Sequence, residues 1–567
     1  MLLCLRALGD EYRSIFLRAS SQSSKFDAAR DPRKWDTTSS KGHIGIATLH
    51  YYARQDSPEA YRELIKSHSY GDVESSVDCD GAHFSIAKVL VSMMPGVIKN
   101  VDEVKSKFYQ FDNHRWNRGG STRMRLFLSS EVHAVYAQLL CDAKDLLSQA
   151  KGKDAGKEAS LLARVKTLTR ICCDLKNHGF KDSVIKEVAI LTYDPHFMDI
   201  LDENHSLLGF DNGVYDLEAG VFRAGLPDDA VSLSTKYAFA TEDDMEIQQQ
   251  IHDFLDSCLE SSDVKTYMLQ VIASALYGRN VRERFFVFKG TGGNGKGVLF
   301  DLLEKTFGGY YGTLDSEFFT KTSRNSGQAT PELADKKGKR IVLASEQDDN
   351  EKFQVKRIKL VSGGDEVSAR MMRENPIYFR PQFTLFLATN EAIAFSKMDR
   401  AIMRRLEVFD FPYNFVEHPD PCNDNEKQID QQLKEEKVGG PLWRQQMMRM
   451  LTSIYARGVT TTNIPTAVLQ ASQDAFDNSN PLKAWHDECV THTQNDRDAY
   501  TPAHLYELYC GVKGGAAVSD KTFWSSLAMN NIIQKRPHGK RMYVRIKVLS
   551  QSDLDAQAAF EAFRMGD

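Results

Sequence analysis

The chain has 567 residues, which exceeds what one hydrophobic core supports and indicates several domains. Its 77 acidic and 72 basic residues give a formal net charge of −5, so any contact with nucleic acid needs a local basic patch. The nine cysteines include no C-x-x-C pair, and no apolar run reaches the length of a membrane span. We therefore exclude a disulfide framework, a zinc site and a membrane protein as working hypotheses, and we expect a soluble protein of a reducing, intracellular compartment.

Residues 1–78 are predicted to form an N-terminal connector region that is mostly helical and loose. The stretch 19–42 is rich in Ser, Asp and Lys, which is typical of a connector, and Pro58 is placed to begin a helix.

Residues 79–242 are predicted to form a mainly helical domain with short β elements. The segment VDCDGAHFSIAKVLVSMM predicts a helix capped near Asp80, and FYQFDNHRWNRGG predicts a pair of strands. The segment LLGFDNGVYDLEAGVF predicts a β-hairpin with turn chemistry at Asn212-Gly213. Asp78 and Asp80 have the D-x-D spacing that can hold two metals in a polymerase or primase. We do not favour that role, because the pair opens a predicted helix and no third carboxylate follows.

Residues 243–417 contain the most informative stretch, FFVFKGTGGNGKG, in which an apolar run ends in a glycine-rich turn and a second apolar run follows. This order predicts strand, loop and helix, and Gly290, Gly295 and Lys296 fit the G-x-x-x-x-G-K frame of a phosphate-binding loop. Backbone N–H groups and the helix dipole would hold phosphate oxygens there. The candidate cofactor-binding residues are Gly290, Thr291, Gly292, Gly293, Asn294, Gly295, Lys296, Gly297 and Val298.

Polar residues follow two more apolar strands downstream. The segment RIVLASE ends in Glu346, with Asp348 and Asp349 close behind, and FTLFLATN ends in Asn390. A carboxylate after such a strand can polarise water and help to hold Mg²⁺, and an amide can orient the attacking water.

Two basic segments complete this region. KLVSGGDEVSAR turns at Gly363-Gly364 and predicts a short ribbon with Arg370 and Arg373 near its tip, which suits contact with phosphates. The segment DRAIMRR is helical and ends in an arginine pair that could reach a neighbouring subunit's nucleotide.

The last two regions are predicted as a helical lid or linker at 418–480 and a winged-helix-like domain at 481–567. The latter prediction rests on two helices followed by a basic, strand-like hairpin around Pro537-His538-Gly539.

These elements, in this order, resemble the superfamily III helicases, and specifically the primase-helicases of the poxvirus type found in large DNA viruses, phages and plasmids. The resemblance rests on GTGGNGKG, RIVLASE, IKLVSGGDEVSAR, LFLATN and DRAIMRRL, and it extends upstream to FDNGVYDLEAGVF and PDD. It implies an α/β fold, an AAA+ type P-loop ATPase core with a parallel sheet. A mainly helical domain would precede the core, and a helical, winged-helix-like region would follow it.

The resemblance also implies a function. It implies a replicative DNA helicase that uses ATP and Mg²⁺, assembles as a homo-oligomer, expected to be a hexameric ring, and moves 3′ to 5′ on DNA. Its partners would be single-stranded and forked DNA and replication proteins such as a polymerase or primase. It would act in viral, phage or plasmid replication, in the cytoplasm or at the replication site of the host cell.

Catalytic roles carry over to this sequence residue by residue. Lys296 would grip the phosphates, Glu346 would be the catalytic acid and metal ligand, and Asn390 would be the polar sensor. Arg404 or Arg405 would be the arginine finger.

The resemblance further implies that Arg370, Met372 and Arg373 face DNA in a central pore. One departure concerns Gly297, which stands where the Ser or Thr hydroxyl would bind Mg²⁺. The other is that no convincing primase active site is found upstream.

Two alternatives stay open. One is a P-loop enzyme of small-molecule phosphate transfer, against which stand the ribbon, the arginine pair and the large flanking regions. The other is a catalytically weakened, DNA-binding replication scaffold, which Gly297 supports and Lys296, Glu346 and Asn390 oppose.

Overall fold

The computed structural model describes residues 5, 12–21, 34–36, 46–280, 282–320, 330–344, 352–372, 375–390, 395, 400–459, 461–478, 482–514, 517–527, 532–536 and 542–555. The chain divides into two compact units, Met1–Phe239 and Ala240–Asp567. The finer domain boundaries given above stay predictions.

The first unit is mostly helical. Its helices are α1 Arg13–Ser20, α2 Ile46–Asp56, α3 Pro58–Asp78, α4 His83–Met93, α5 Ser121–Phe127, α6 His133–Ala150, α7 Ala155–Asp174, α8 His178–Leu191 and α9 Phe197–Ile200, with a π-helical turn at Leu128–Val132 between α5 and α6. Its strands are β1 Ile98–Asn100, β2 Phe108–Asp112, β3 Arg115–Arg118, β4 Leu207–Phe210, β5 Gly213–Asp216 and β6 Val221–Arg223.

The core of the first unit lies between helices α3, α4, α6, α7 and α8, where Leu90, Leu128 and Val188 are fully buried. The unit also contains two antiparallel three-stranded sheets, with the strand orders β1-β2-β3 and β4-β5-β6. The predicted pair of strands and the predicted hairpin at Asn212-Gly213 are both present.

The predicted helix near Asp80 is present, but its cap is not at Asp80, because Asp80 and Gly81 have φ of 60° and 70°, which a helix cannot include. Helix α3 ends at Asp78, and α4 begins at His83 with Ala82, not Asp80, at its N-cap. Asp80 lies in the connection between them.

The second unit alternates strands and helices. Its strands are β7 Phe285–Lys289, β8 Tyr311–Leu314, β9 Ile341–Ala344, β10 Val367–Ala369, β11 Ile377–Phe379, β12 Thr384–Thr389, β13 Leu406–Asp410, β14 Asn414–Val416, β15 Glu426–Gln428, β16 Val490–His492, β17 Ala499–Tyr500, β18 Ile533–Lys535, β19 Met542–Val544 and β20 Ile546–Val548. Its helices are α10 Met245–Cys258, α11 Ser262–Ser274, α12 Lys296–Phe307, α13 Ser316–Thr320, α14 Pro331–Ala334, α15 Val355–Ser362, α16 Arg400–Met403, α17 Pro441–Ala456, α18 Thr466–Asn478, α19 Lys483–Cys489, α20 Pro502–Lys513 and α21 Asp520–Leu527.

A parallel five-stranded sheet in the order β13-β7-β12-β9-β8 forms the centre of the second unit. Strands β7, β12 and β13 are almost entirely buried, as expected for parallel strands covered on both faces. Their register places Lys289, Thr389 and Asp410 side by side, so the segments that follow these strands leave the sheet at one edge. Polar groups on those segments can therefore meet.

The C-terminal part of the chain has the predicted helices and basic strands. Helices α19–α21 and strands β16, β17, β19 and β20 share a core that includes Trp485, Tyr509 and Phe523. The turn Pro537-His538-Gly539 lies outside the described residues. None of the described helices combines the length and the apolarity that crossing a membrane requires.

Candidate nucleotide site and DNA-facing ribbon

The predicted phosphate loop connects β7 to the N-terminus of α12. Gly293 and Gly295 have φ of 77° and 84°, a conformation that side chains rarely adopt, so glycine is needed at both. A Cβ added at Gly290 would lie 2.5 Å from the carbonyl oxygen of Phe411, so the loop passes too close to that segment for any larger residue. The glycines thus fix a tight turn whose backbone leads directly into a helix N-terminus.

Lys296 is the first residue of α12, and its side chain is held inside the loop. The residue is 6% exposed, and its Nζ donates hydrogen bonds to Asn390 Oδ1 at 3.1 Å and to the carbonyl oxygen of Gly290. The structure therefore brings together two predicted site residues that are 94 positions apart. Asn390 directly follows β12, so it occupies the edge of the sheet from which the loop departs.

Asn294 stabilises the loop from within. Its Oδ1 accepts a hydrogen bond from the backbone N–H of Lys296 at 3.3 Å, and its Nδ2 donates to the carbonyl oxygen of Thr291. Asn294 is buried, whereas Thr291, Gly292 and Gly293 are exposed. The exposed part of the loop is the part whose N–H groups could face a ligand.

Gly297 and Val298 are the second and third residues of helix α12. A Cβ added at Gly297 would meet nothing within 4 Å, so packing does not dictate glycine there. A Ser or Thr would fit at this position, so the surrounding structure does not explain why the hydroxyl is missing.

A cavity of about 590 Å³ adjoins the loop at Gly293 through Gly297 and Val298. Its other walls include the aromatic rings of Phe254, Phe415 and Trp443. Trp443 Nε1 donates to Gln250 Oε1 at 3.3 Å, which fixes the ring at the cavity wall. Sequence reasoning missed these residues, because they come from three separate segments that no shared motif connects.

The thiol of Cys258 packs behind the loop, where a Cβ on Gly295 would lie 2.5 Å from its Sγ. Burial raises the pKa of the Cys258 thiol to about 11, so it stays protonated and acts as a small apolar group.

The predicted acidic residues Glu346, Asp348 and Asp349 lie outside the described residues. The structure shows only that β9, which precedes them, ends at Ala344 beside Leu387 of β12. Their roles stay predictions.

The two arginines of the predicted pair differ in how far their side chains are exposed. The side chain of Arg405 is 11% exposed and donates to Glu283, whereas that of Arg404 is 69% exposed and lies 3.8 Å from the same carboxylate. Both precede β13, which starts beside Phe285 at the start of β7, whereas the phosphate loop follows the other end of β7. The pair therefore lies at the opposite edge of the sheet from the loop of its own chain.

The predicted ribbon is formed by β10 and β11, which pair antiparallel with Ser368 opposite Tyr378. At its tip Met372 is 73% exposed, and the backbone N–H of Arg370 donates to Thr330 Oγ1 at 3.3 Å. Arg373 lies outside the described residues. Tyr378, which sequence reasoning missed, is 63% exposed on β11 of the same ribbon.

The carboxylate of Asp80 is hydrogen-bonded to side chains of helix α7. A hydrogen bond from Arg170 lowers the pKa of the Asp80 carboxyl, and Thr167 Oγ1 also donates to it at 3.2 Å. Within the described parts of the chain, no group of three His, Cys, Asp or Glu residues could hold a metal ion.

Comparison with known families gives two matches. Residues 87–260 match the family described as D5 N terminal like, and residues 288–405 match a family of unknown function, DUF5906.

The chain is also similar to proteins of large DNA viruses. It is 34% identical over 444 residues to a protein of Acanthamoeba polyphaga mimivirus named "Putative helicase", with 76% of this chain and 46% of the relative covered. A protein with the same description from Invertebrate iridescent virus 3 is 23% identical, with 73% and 48% covered. A protein of African swine fever virus named "Putative primase" is 22% identical, with 70% and 43% covered. The chain thus spans about half the length of the curated relatives it matches.

Among solved structures, the C-terminal region of NrS-1 covers 55% of this chain and 78% of its own, at 14% identity and a TM-score of 0.33.

Proposed function

We propose that this chain, which is related to the D5-type viral primase-helicases, is the ATP-driven helicase part of a DNA replication protein. The observation that carries the proposal is the hydrogen bond between Lys296 Nζ and Asn390 Oδ1 at the loop edge of the parallel sheet. It supports the proposal because a cation and an amide that contact each other beside the loop would both reach the outer phosphates of a nucleotide bound there.

The residues present fit ATP. Three glycine positions that tolerate no side chain shape a phosphate cradle, and the adjoining cavity of about 590 Å³ offers aromatic walls to a nucleobase. Lys296 would then exchange its contact with Gly290 for phosphate oxygens, while Asn390 would orient the attacking water.

Mg²⁺ is part of the proposal. Gly297 supplies no hydroxyl, so the protein ligand would be Glu346, with phosphate oxygens and water in the remaining positions. Bound Mg²⁺ would neutralise charge on the phosphates during hydrolysis.

The proposed assembly is a homo-oligomeric ring, in our expectation a hexamer. Arg404 is the better finger candidate, because it is exposed at the sheet edge opposite its own loop and can reach only another chain's nucleotide. Arg405 is engaged with Glu283 and would position the segment that carries Arg404.

DNA would pass the ribbon tip, with Arg370 and Arg373 on the phosphates and Met372 and Tyr378 against the bases. Translocation 3′ to 5′ is proposed from the family resemblance. The proposed setting is viral, phage or plasmid DNA replication in the host cell, with a polymerase or primase as partner.

Strand displacement on 3′-tailed and 5′-tailed duplexes, with and without ATP, tests the proposal. We expect ATP-dependent displacement on the 3′-tailed duplex. Displacement of only the 5′-tailed duplex would overturn the polarity, and nucleotide binding without turnover on any DNA would favour the scaffold alternative that Gly297 supports.

A further inference from the structure

The first unit contains a polar cavity of about 470 Å³ on the hairpin of β2 and β3. Its walls contain three arginines and one aspartate, and no aromatic ring lies among them. This cavity is separate from the nucleotide cavity and the ribbon, which both belong to the second unit.

The hairpin register separates polar from apolar side chains. Gln110 pairs with Asn117 and Asp112 pairs with Arg115, so these side chains share one face of the ribbon. On the other face Phe111 and Trp116 are 8% and 2% exposed, in an apolar cluster with neighbouring residues. Burial of the apolar face therefore directs the four polar side chains towards the cavity. Arg118 pairs with Tyr109 and so alternates with Trp116, but at the exposed end of β3 it also lines the cavity.

Gln110 is the most buried polar residue of this wall, with 5% exposure. Its side-chain amide makes no hydrogen bond to any residue that the structure describes, and it borders the cavity, where water or a ligand can bond to it. Gly120 passes beside it with φ of 116°, and a Cβ there would lie 3.1 Å from Gln110 Oε1. The glycine thus keeps the amide open to the cavity.

The cavity wall carries more positive than negative side chains. Arg115 is paired with Asp211 at 2.7 Å and Arg123 with Asp112 at 2.5 Å. Arg118 is exposed and forms no ion pair with any described side chain. One guanidinium therefore remains for a ligand, with two more beside it, in a chain whose formal net charge is −5.

We propose that this cavity binds the phosphate backbone of single-stranded DNA, independently of base sequence. Guanidinium groups match phosphate oxygens with two parallel hydrogen bonds, and the Gln110 amide can donate a further one. Without an aromatic ring the cavity offers no stacking surface, so it reads backbone and not bases. It is a DNA contact in the first unit that the proposed helicase mechanism neither uses nor requires.

The test compares the full-length chain with Arg118→Gln in binding to a fluorescent 30-nucleotide DNA strand, without nucleotide, at several salt concentrations. Arg62→Gln is the matched control, because Arg62 is an exposed arginine on helix α3 of the same unit. We expect Arg118→Gln to weaken binding about three- to tenfold and to reduce the salt slope by about 0.7 for one lost phosphate contact. Arg62→Gln should change neither value. An unchanged affinity and slope in Arg118→Gln would overturn the proposal.

Hydrogen exchange of peptides covering residues 108–126 locates the ligand and distinguishes its source. Protection by the DNA strand, but not by inorganic triphosphate, supports the polynucleotide site. Protection by triphosphate alone would assign the cavity to free phosphate compounds and overturn the DNA proposal, and protection by neither would remove the site altogether.

Discussion

At the scale of single residues, two basic side chains that look alike in the sequence have different surroundings. Arg405 is almost buried on Glu283, and Arg404 extends into solvent from the same turn. A buried arginine that has lost its partner is destabilising, whereas an exposed one contributes little to the free energy of unfolding. Stability and activity can therefore be separated by mutating the two in turn.

We expect Arg404→Ala to abolish DNA-stimulated ATP hydrolysis and to leave the melting temperature within about 1 °C of the parent, since surface substitutions typically change stability by less than about 0.5 kcal/mol. Arg405→Ala should destabilise the protein by about 1–3 kcal/mol, because it removes a nearly buried side chain and leaves Glu283 with only the exposed Arg404, 3.8 Å away. Calorimetry and a phosphate-release assay on both variants check this. The reverse pattern would exchange the roles of the two arginines.

Lys296→Ala should reduce ATP hydrolysis by at least about a hundredfold, because no other cation replaces its charge at the phosphates. The variant should retain its fold, since Asn390 is exposed and can hydrogen-bond to water once Lys296 is gone. Phosphate release and circular dichroism measure the two effects. Turnover within about threefold of the parent would show that the loop is not the hydrolytic site.

At the scale of elements, the ribbon of β10 and β11 carries Arg370 and the exposed apolar side chain of Met372 at its tip. Met372 and Tyr378 are among the most exposed large apolar residues of the second unit. Isolated exposed apolar residues are ordinary, but two on one short ribbon beside Arg370 suit a surface that contacts nucleic acid.

Replacing both Arg370 and Arg373 by alanine should leave basal ATP hydrolysis intact and abolish its stimulation by DNA. The salt slope of DNA binding should fall by about 0.7 for each phosphate contact that is lost. Arg457→Ala, at an exposed arginine that follows helix α17, serves as the control and should behave as the parent. Normal unwinding by the double variant would mean that another element of the chain binds the DNA.

At the scale of the whole molecule, the loop and Arg404 lie at opposite edges of one sheet. A site that needs both can be completed only by two chains, and closed rings are the usual outcome of such head-to-tail contacts.

Mixing Lys296→Ala subunits with Arg404→Ala subunits should therefore restore part of the activity that each has lost, because some interfaces then combine an intact lysine with an intact arginine. ATP hydrolysis is measured across mixing ratios, with the mass of the assembly determined in the presence of nucleotide. Failure at every ratio, together with a monomeric mass, would contradict the shared site.

The sequence by itself determined the local features of this protein. A phosphate loop is encoded by glycines and a lysine at fixed spacing, and strands that end in polar residues are visible as apolar runs. The turn at Gly363-Gly364 that precedes the ribbon and the hairpin at Asn212-Gly213 were equally predictable, since turn chemistry is local.

Only the tertiary structure decided what depends on contacts between distant segments. The strand order β13-β7-β12-β9-β8 brings Asn390 to Lys296, packing buries Arg405 but not Arg404, and three segments together form the aromatic cavity. The start of helix α4 was predicted near Asp80 and not at His83 for the same reason. The left-handed turn at Asp80 lets Gly81 pack closely against Ile171, and such a long-range contact overrides local helix propensity.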